Sequence, residues 1–289
     1  MGLVDDIKNQ ATKNGTKIQS SDATALEKIL NRMFYLEKDI EGETAFVKQV
    51  MTRGLESTER VGLHASAIIV GDKKFCLRQQ VLSLIYKQLQ GEQVEVGLRR
   101  IFEEGNAIHE KWQRLFIRAG YSTAEDLDVT KFNKKWRVSY TPDIECYIPE
   151  FFEGKMIGEI KSVNSFQFKK MNHHPSAGKQ LQWYMKLSID REKQAGAWNG
   201  VDYTRGFVLN EDKNTQEIKL EVYDYDPEAT EPFVTRCKDI KVGYNKVYKE
   251  GKMVARPSDA SSADCKRCHA CPMRDACWNI GQGRIKIGE

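Results

Sequence analysis

Asp143, Glu159 and Lys161 fall close together in the stretch Tyr140–Tyr184, and their types and spacing suit metal and phosphate chemistry. Asp143 follows Pro142. Glu159 and Lys161 bracket Ile160 in the run Met156-Ile157-Gly158-Glu159-Ile160-Lys161-Ser162-Val163, which has strand character. Alternate side chains of a strand share a face, so Glu159 and Lys161 point one way and Ile160 the other. Residues 138–146 are expected to form a preceding strand that carries Asp143, and residues 151–155 supply turn material for a hairpin. In that hairpin two carboxylates and an ammonium converge. Carboxylate oxygens suit a hard cation such as Mg²⁺ or Mn²⁺. Such a cation lowers the pKa of a bound water and takes up charge on a phosphoryl oxygen. A neighbouring lysine can orient the water or stabilise the transition state. The chemistry indicated is phosphodiester hydrolysis. The bland alternative is a turn proline and a surface Glu/Lys pair of little energetic consequence.

A helix is expected next. Gln180 and Tyr184 are four apart and so share one face. Turned toward the carboxylates, they could bind phosphate or hold the lysine. Taken alone, Tyr184 reads as a half-buried aromatic with its hydroxyl in water.

Pro142-Asp143, Glu159-Ile160-Lys161 and Gln180-x-x-x-Tyr184 together resemble the motifs of the PD-(D/E)XK nucleases of the RecB-like type. The resemblance implies an α/β, restriction-endonuclease-like core, a mixed sheet flanked by helices. It implies a Mg²⁺- or Mn²⁺-dependent DNA nuclease, an exonuclease acting at ends or on single strands, in recombination, repair or replication. A helicase or recombination protein is the implied partner. Asp143 and Glu159 would hold the cation with the backbone carbonyl of Ile160, Lys161 would be catalytic, and Gln180 and Tyr184 would hold the scissile strand. A histidine on a preceding helix is also implied, and His109 stands in place for it. Without the resemblance His109 reads as a core-edge imidazole. Thr141 stands where the family often has glycine. The rival readings are an endonuclease and a non-catalytic scaffold subunit on the same fold.

Cys265-Lys-Arg-Cys268-His-Ala-Cys271-Pro-Met-Arg-Asp-Ala-Cys277 places four cysteines within thirteen residues. Thiolates at C-x-x-C spacing hold one soft metal centre, Zn²⁺ or an iron–sulfur cluster. Redox-active thiols are the alternative. Cys268, Cys271 and Cys277, with a distant upstream cysteine, resemble the iron–sulfur staple of RecB-like nucleases, including CRISPR-associated, phage and AddB-type examples. The resemblance makes Cys76 the fourth ligand of a [4Fe–4S] centre. The competing local set uses Cys265 in its place. Cys146 and Cys237 read as ordinary buried thiols.

The chain has 289 residues, 40% of them apolar, enough for a proper core. A net charge of +4 permits a nucleic-acid partner without requiring one. No apolar run approaches a membrane span, and the first residues lack the pattern of a signal peptide. Cytoplasmic location is expected, and with it metal-binding thiols in preference to disulfides. No P-loop motif occurs, which argues against a built-in ATP-driven helicase.

The segments expected are a helical extension over 1–60, the nuclease core over 61–264, and a cysteine-rich tail over 265–289. Leu26, Ile29, Leu30, Met33 and Phe34 predict a first helix with Thr24 and Glu27 as its capping box. A second helix is predicted over 44–53, stopping at Gly54. Cys76 opens a helix whose stripe runs to Leu89, and residues 91–97 break the pattern. A long helix from Glu95 or Leu98 to Ala119 turns Ile101, Ile108, Trp112, Leu115 and Phe116 inward. Residues 206–210 and 216–223 predict a hairpin. Residues 228–248 predict a helix with Phe233, Ile240, Val242, Tyr244 and Val247 partly buried. Among the basic residues, Arg78, Lys169, Lys170 and Lys179 are candidates for phosphate contact.

Overall fold

The computed structural model describes residues 20–53, 62–86, 96–269 and 271–279. They form a mixed α/β protein whose sheets are flanked by helices. By contact the chain divides into two units. The first holds described residues 20–53, 96–131 and 140–230; the second holds 62–86, 132–139, 231–269 and 271–279.

The first unit is built on β4 (Ile144–Cys146), β5 (Met156–Val163), β6 (Arg205–Asp212) and β7 (Ile218–Asp224), paired in that order. β4 and β5 form the expected antiparallel hairpin, with Ile144 opposite Gly158. β5 and β6 run parallel, so the chain between them must cross over. It does so through α6 (Ser165–Lys170) and α7 (Ala177–Ala195). α7 ends on Gly196 in the left-handed region at φ 71°, where glycine carries no Cβ penalty. β6 and β7 form the second predicted hairpin, with a turn that lies later than expected, between Asp212 and Ile218.

Strand alternation sorts the sheet into two faces. Ile144, Ile160, Phe207, Leu209 and Val222 enter one apolar cluster with Leu26, Leu30 and Met33 of α1 (Ser20–Met33), Phe46 of α2 (Ile40–Arg53), and Ile108, Trp112, Leu115 and Phe116 of α5 (Val96–Arg118). The opposite face carries Glu159 and Lys161 and is covered by α7. A Cβ at Gly206 would lie 2.9 Å from Leu181 and 3.2 Å from Met185. The two N-terminal helices thus pack on this core.

Several expectations are corrected. α1 starts at Ser20, so Thr24 lies inside the helix and is no cap. α2 starts at Ile40, not Thr44, because the Asp39 carboxylate accepts from the Gly42 N–H at 3.0 Å and ends the helix there. Ile101 is 52% exposed, not inward. The single strand expected over 138–146 is two: β3 (Val138–Tyr140) and β4 belong to different sheets, and Asp143 sits in the bend between them. Gly54, Leu89 and most of 91–97 lie outside the described residues.

In the second unit, β1 (Leu63–His64) pairs in parallel with β3 in a three-stranded sheet of order β1-β3-β2, where β2 is Lys131–Asn133. α3 (Ala65–Ile68) follows β1 directly. Cys76 is the N-cap residue of α4 (Leu77–Ser83), which ends earlier than its apolar stripe suggests. α8 (Pro227–Glu250) buries Phe233, Ile240 and Val247 but leaves Val242 67% exposed. α9 (Arg274–Asn279) closes the described chain.

Candidate functional site: a carboxylate cluster and a thiol cluster

The β4–β5 register, carried one residue further, sets position 143 across from 159, and residues directly opposite in a ladder share a face. The Asp143 carboxylate accepts from the Ile160 backbone N–H at 2.8 Å, which prolongs the ladder through a side chain. α5 supplies two groups one helical turn apart. His109 Nδ1 stands 3.4 Å from Asp143 Oδ1, and Gln113 Nε2 donates to the Asp143 carbonyl at 2.7 Å. Lys161 Nζ donates to Glu159 Oε1 at 2.5 Å and to Gln180 Oε1 at 3.2 Å. Gln180 Nε2 in turn donates to Tyr184 Oη at 3.1 Å. His109, Asp143, Glu159, Lys161, Gln180 and Tyr184 are therefore brought into one connected cluster.

The electrostatics of the cluster are those of crowded negative charge. Burial would raise the Asp143 carboxyl, but His109, Lys161 and the Ile160 N–H outweigh it and hold the group below its ordinary value. Glu159 goes the other way. Burial and the Asp143 charge push it up to about 8, and Lys161 and His109 compensate only in part. Burial would lower His109 and Lys161, but the two carboxylates raise both. Tyr184 is raised by burial and by the same carboxylates, so it serves as a neutral hydroxyl. Glu159 Oε2 is buried with no hydrogen-bond partner among the described residues.

Burial of an acceptor without a donor costs free energy unless something else fills the role. A hard cation would fill it, and two carboxylates with an imidazole suit such an ion. Among the described residues no three His, Cys, Asp or Glu side chains stand ready-spaced for a metal ion. Asp143 is engaged by His109 and Ile160, and Glu159 by Lys161.

Two residues here belong to no motif of the sequence. Gln113 lies four after His109 and so on the same face of α5. His174 accepts through Nδ1 from the Ala177 N–H at 3.2 Å and caps the first turn of α7. Burial and the Lys161 charge lower the His174 pKa, consistent with a neutral acceptor. A pocket of about 400 Å³ bounded by Phe34, Trp112, Phe168 and Lys219 contains none of the cluster residues.

The second unit contains the thiols. Cys76, Cys268, Cys271 and Cys277 line one cavity of about 40 Å³, and Cys265 does not. Burial raises Cys76, with Cys277 adding to it. Burial raises Cys271 to about 11, with Cys76, Cys268 and Cys277 adding. Arginines frame the cavity. Arg78, 1% exposed, donates from Nε to Cys277 Sγ at 3.1 Å, from Nη1 to Val254 O at 2.6 Å and from Nη2 to Cys277 O at 3.2 Å. It is thus unavailable to phosphate, against the expectation; Lys169, Lys170 and Lys179 are exposed. Arg267 holds the carbonyls of Lys73 and Phe75 just ahead of Cys76. All seven cysteines are free thiols, and Cys146 and Cys237 are buried.

No family model and no curated protein matches the chain. Among solved structures it is similar to LHK-Exo in complex with dAMP, at 12% identity and a TM-score of 0.44, covering 64% of this chain and 88% of that one. It is also similar to SSO0001, at 13% identity and 0.42, covering 82% and 95%. A third is an alkaline exonuclease (LHK-Exo) from Laribacter hongkongensis, at 12% identity and 0.41, covering 66% and 94%. At these values the functional reading has to come from the side chains themselves.

Proposed function

We propose that this chain is a divalent-cation-dependent nuclease that hydrolyses phosphodiester bonds in DNA, as an exonuclease at ends or on single strands. The observation that carries the reading is the convergence of Asp143, Glu159 and Lys161, with Glu159 Oε2 buried and, among the described residues, unpartnered. His109, Asp143, Glu159 and the Ile160 carbonyl would hold Mg²⁺ or Mn²⁺. When bound, the cation supplies Lewis-acid polarisation of the phosphate and a more acidic water. The chain's own groups do the rest. Lys161, held by Gln180, orients the attacking water toward phosphorus. Tyr184 keeps Gln180 aligned and offers a neutral hydroxyl to the strand. Gln113 and the Ile160 N–H keep Asp143 in register.

The thiol cavity supports a structural [4Fe–4S] centre on Cys76, Cys268, Cys271 and Cys277, with Zn²⁺ as the alternative. What supports it is that these four thiols line one cavity. The free thiols fit a reducing, cytoplasmic setting. Among the described residues no helix is long and apolar enough to cross a membrane. A helicase or recombination partner remains part of the proposal.

The rival reading is a non-catalytic DNA-binding subunit. It draws on the same pairing, in which Asp143 with His109 and Glu159 with Lys161 already form a closed ion-pair network. Digestion of end-labelled single- and double-stranded DNA by anaerobically purified protein separates the two. Cleavage that needs Mn²⁺ or Mg²⁺ and stops with EDTA supports the nuclease. Binding with no cleavage under any metal supports the subunit.

A further inference from the structure

α5 crosses the C-terminal end of β5. A Cβ on Gly105 would lie 3.4 Å from Ser162 Oγ. Lys213 ties the same point from both sides: its ammonium is 3.6 Å from Glu104 Oε2, and its backbone N–H donates to Val163 O at 2.9 Å. Phe102 precedes Gly105 by three residues, about 4.5 Å along the helix axis. Positions 102, 105 and 109 also lie on one face of α5. The part of α5 around Gly105 therefore lies at the end of the strand that carries Glu159 and Lys161, and α6 starts two residues beyond that end.

What they expose there is apolar. Ile101 is 52% exposed, Phe102 51% and Phe166 69%. A single exposed apolar residue needs no explanation, but a group at one place marks an interaction site. The α6 platform is anchored to the sheet. Asn164 caps it through the Gln167 N–H at 2.9 Å, Phe168 is buried beneath it, and Lys219 Nζ donates to Phe168 O and to Met171 O, the latter at 3.1 Å. The platform is also cationic. Lys170 Nζ lies 3.8 Å from the centre of the Phe166 ring, Lys169 is exposed beside it, and the Glu104 charge is met by Lys213. Exposed aromatic faces interleaved with lysines are the chemistry of single-strand binding: bases stack on the rings while ammonium groups meet the backbone.

We propose that Phe166 and Phe102, with Lys169 and Lys170, form a stacking platform that receives the unpaired bases of a single nucleic-acid strand beside the carboxylate cluster. The proposal rests on the nuclease reading and narrows it to substrates that present an unpaired end.

The test is fluorescence anisotropy of a labelled oligo-dT on the full chain in EDTA, where no cleavage occurs. Phe166→Ala should weaken binding about five- to a hundredfold. Phe166→Leu, which keeps the apolar bulk, should weaken it similarly, and Phe166→Trp should restore it. Blunt duplex binding should stay unchanged in all three. An oligonucleotide with abasic sites should bind the wild type no more tightly than dT binds Phe166→Ala, and the variant that combines Phe166→Ala with Phe102→Ala should not distinguish the two. Unchanged dT affinity in Phe166→Ala and Phe102→Ala overturns the proposal. So does unchanged affinity with an altered sedimentation coefficient, which would assign the patch to a second copy of the chain. If the wild type binds strands through Phe166 yet cleaves nothing with Mn²⁺, the nuclease reading fails and the platform stands.

Discussion

The carboxylate cluster and the thiol cluster are assembled by different means. In the first, Asp143 and Glu159 come together because a hairpin register makes them opposite, and backbone hydrogen bonds fix that register. In the second, Cys76 lies 201 residues upstream of Cys277, and among the described residues no ladder joins them. Arginines take the ladder's place: Arg78 holds the Cys277 sulfur and carbonyl, and Arg267 holds the backbone before Cys76. A site set by register should lose chemistry without losing the fold when a side chain is changed. A site set by long-range contacts should lose stability first.

The sharpest way to break that contrast is at Glu159. Glu159→Gln keeps the shape and removes a charge that the buried site disfavours. Cleavage by gel assay should fall on the order of 10²–10³-fold, with the urea midpoint unchanged or raised. Retained cleavage would remove the carboxylate pair from the mechanism. Cys76→Ser should act in the opposite sense. It should abolish visible charge-transfer absorption in anaerobically purified protein and cost roughly 3–5 kcal/mol by loop-closure entropy, while Cys265→Ser keeps the absorption. If only Cys265→Ser bleaches the protein, the local ligand set is right.

Two smaller effects sharpen the comparison within the first unit. A Cβ at Gly158 would come 2.4 Å from the Phe207 ring, so Gly158→Ala should destabilise by about 1–3 kcal/mol in urea unfolding. A shift well below that would mean the apolar face is looser than its contacts indicate. The smallest effect is at His174. Its pKa is lowered in the fold from an ordinary 6.5, so the unfolded chain binds the proton more tightly. The stabilisation is full above about 6.5 and is lost as pH falls through the lower folded value. The loss should reach about 1 kcal/mol, the worth of a helix cap. His174→Gln should flatten the stability profile between pH 7 and 5, and an unchanged profile would assign that slope to other groups.

The strand over residues 156–163 was legible to the residue, because a buried run with alternating chemistry has one reading. Its hairpin partner was half legible. Residues 138–146 were read as one continuous strand, but the chain bends at Asp143, just after Pro142, and sends the two halves to different sheets. Ile101 and Val242 were misread for a common reason: helical spacing says which residues share a face, not whether anything covers it. Likewise Asp39 caps a helix whose start the apolar periodicity put four residues late.

The amino-acid order by itself determined which side chains could do chemistry, and that Glu159 and Lys161 share a face, because strand alternation is a local property. Tertiary structure alone decided three things. It gave both Asp143 carboxylate oxygens partners while leaving Glu159 Oε2 without one among the described residues. It gathered Cys76 and not Cys265 into the thiol cavity. It put Arg78 inside and the phenyl ring of Phe166 outside. Burial and long-range pairing depend on what the rest of the chain brings alongside, and no local spacing encodes that.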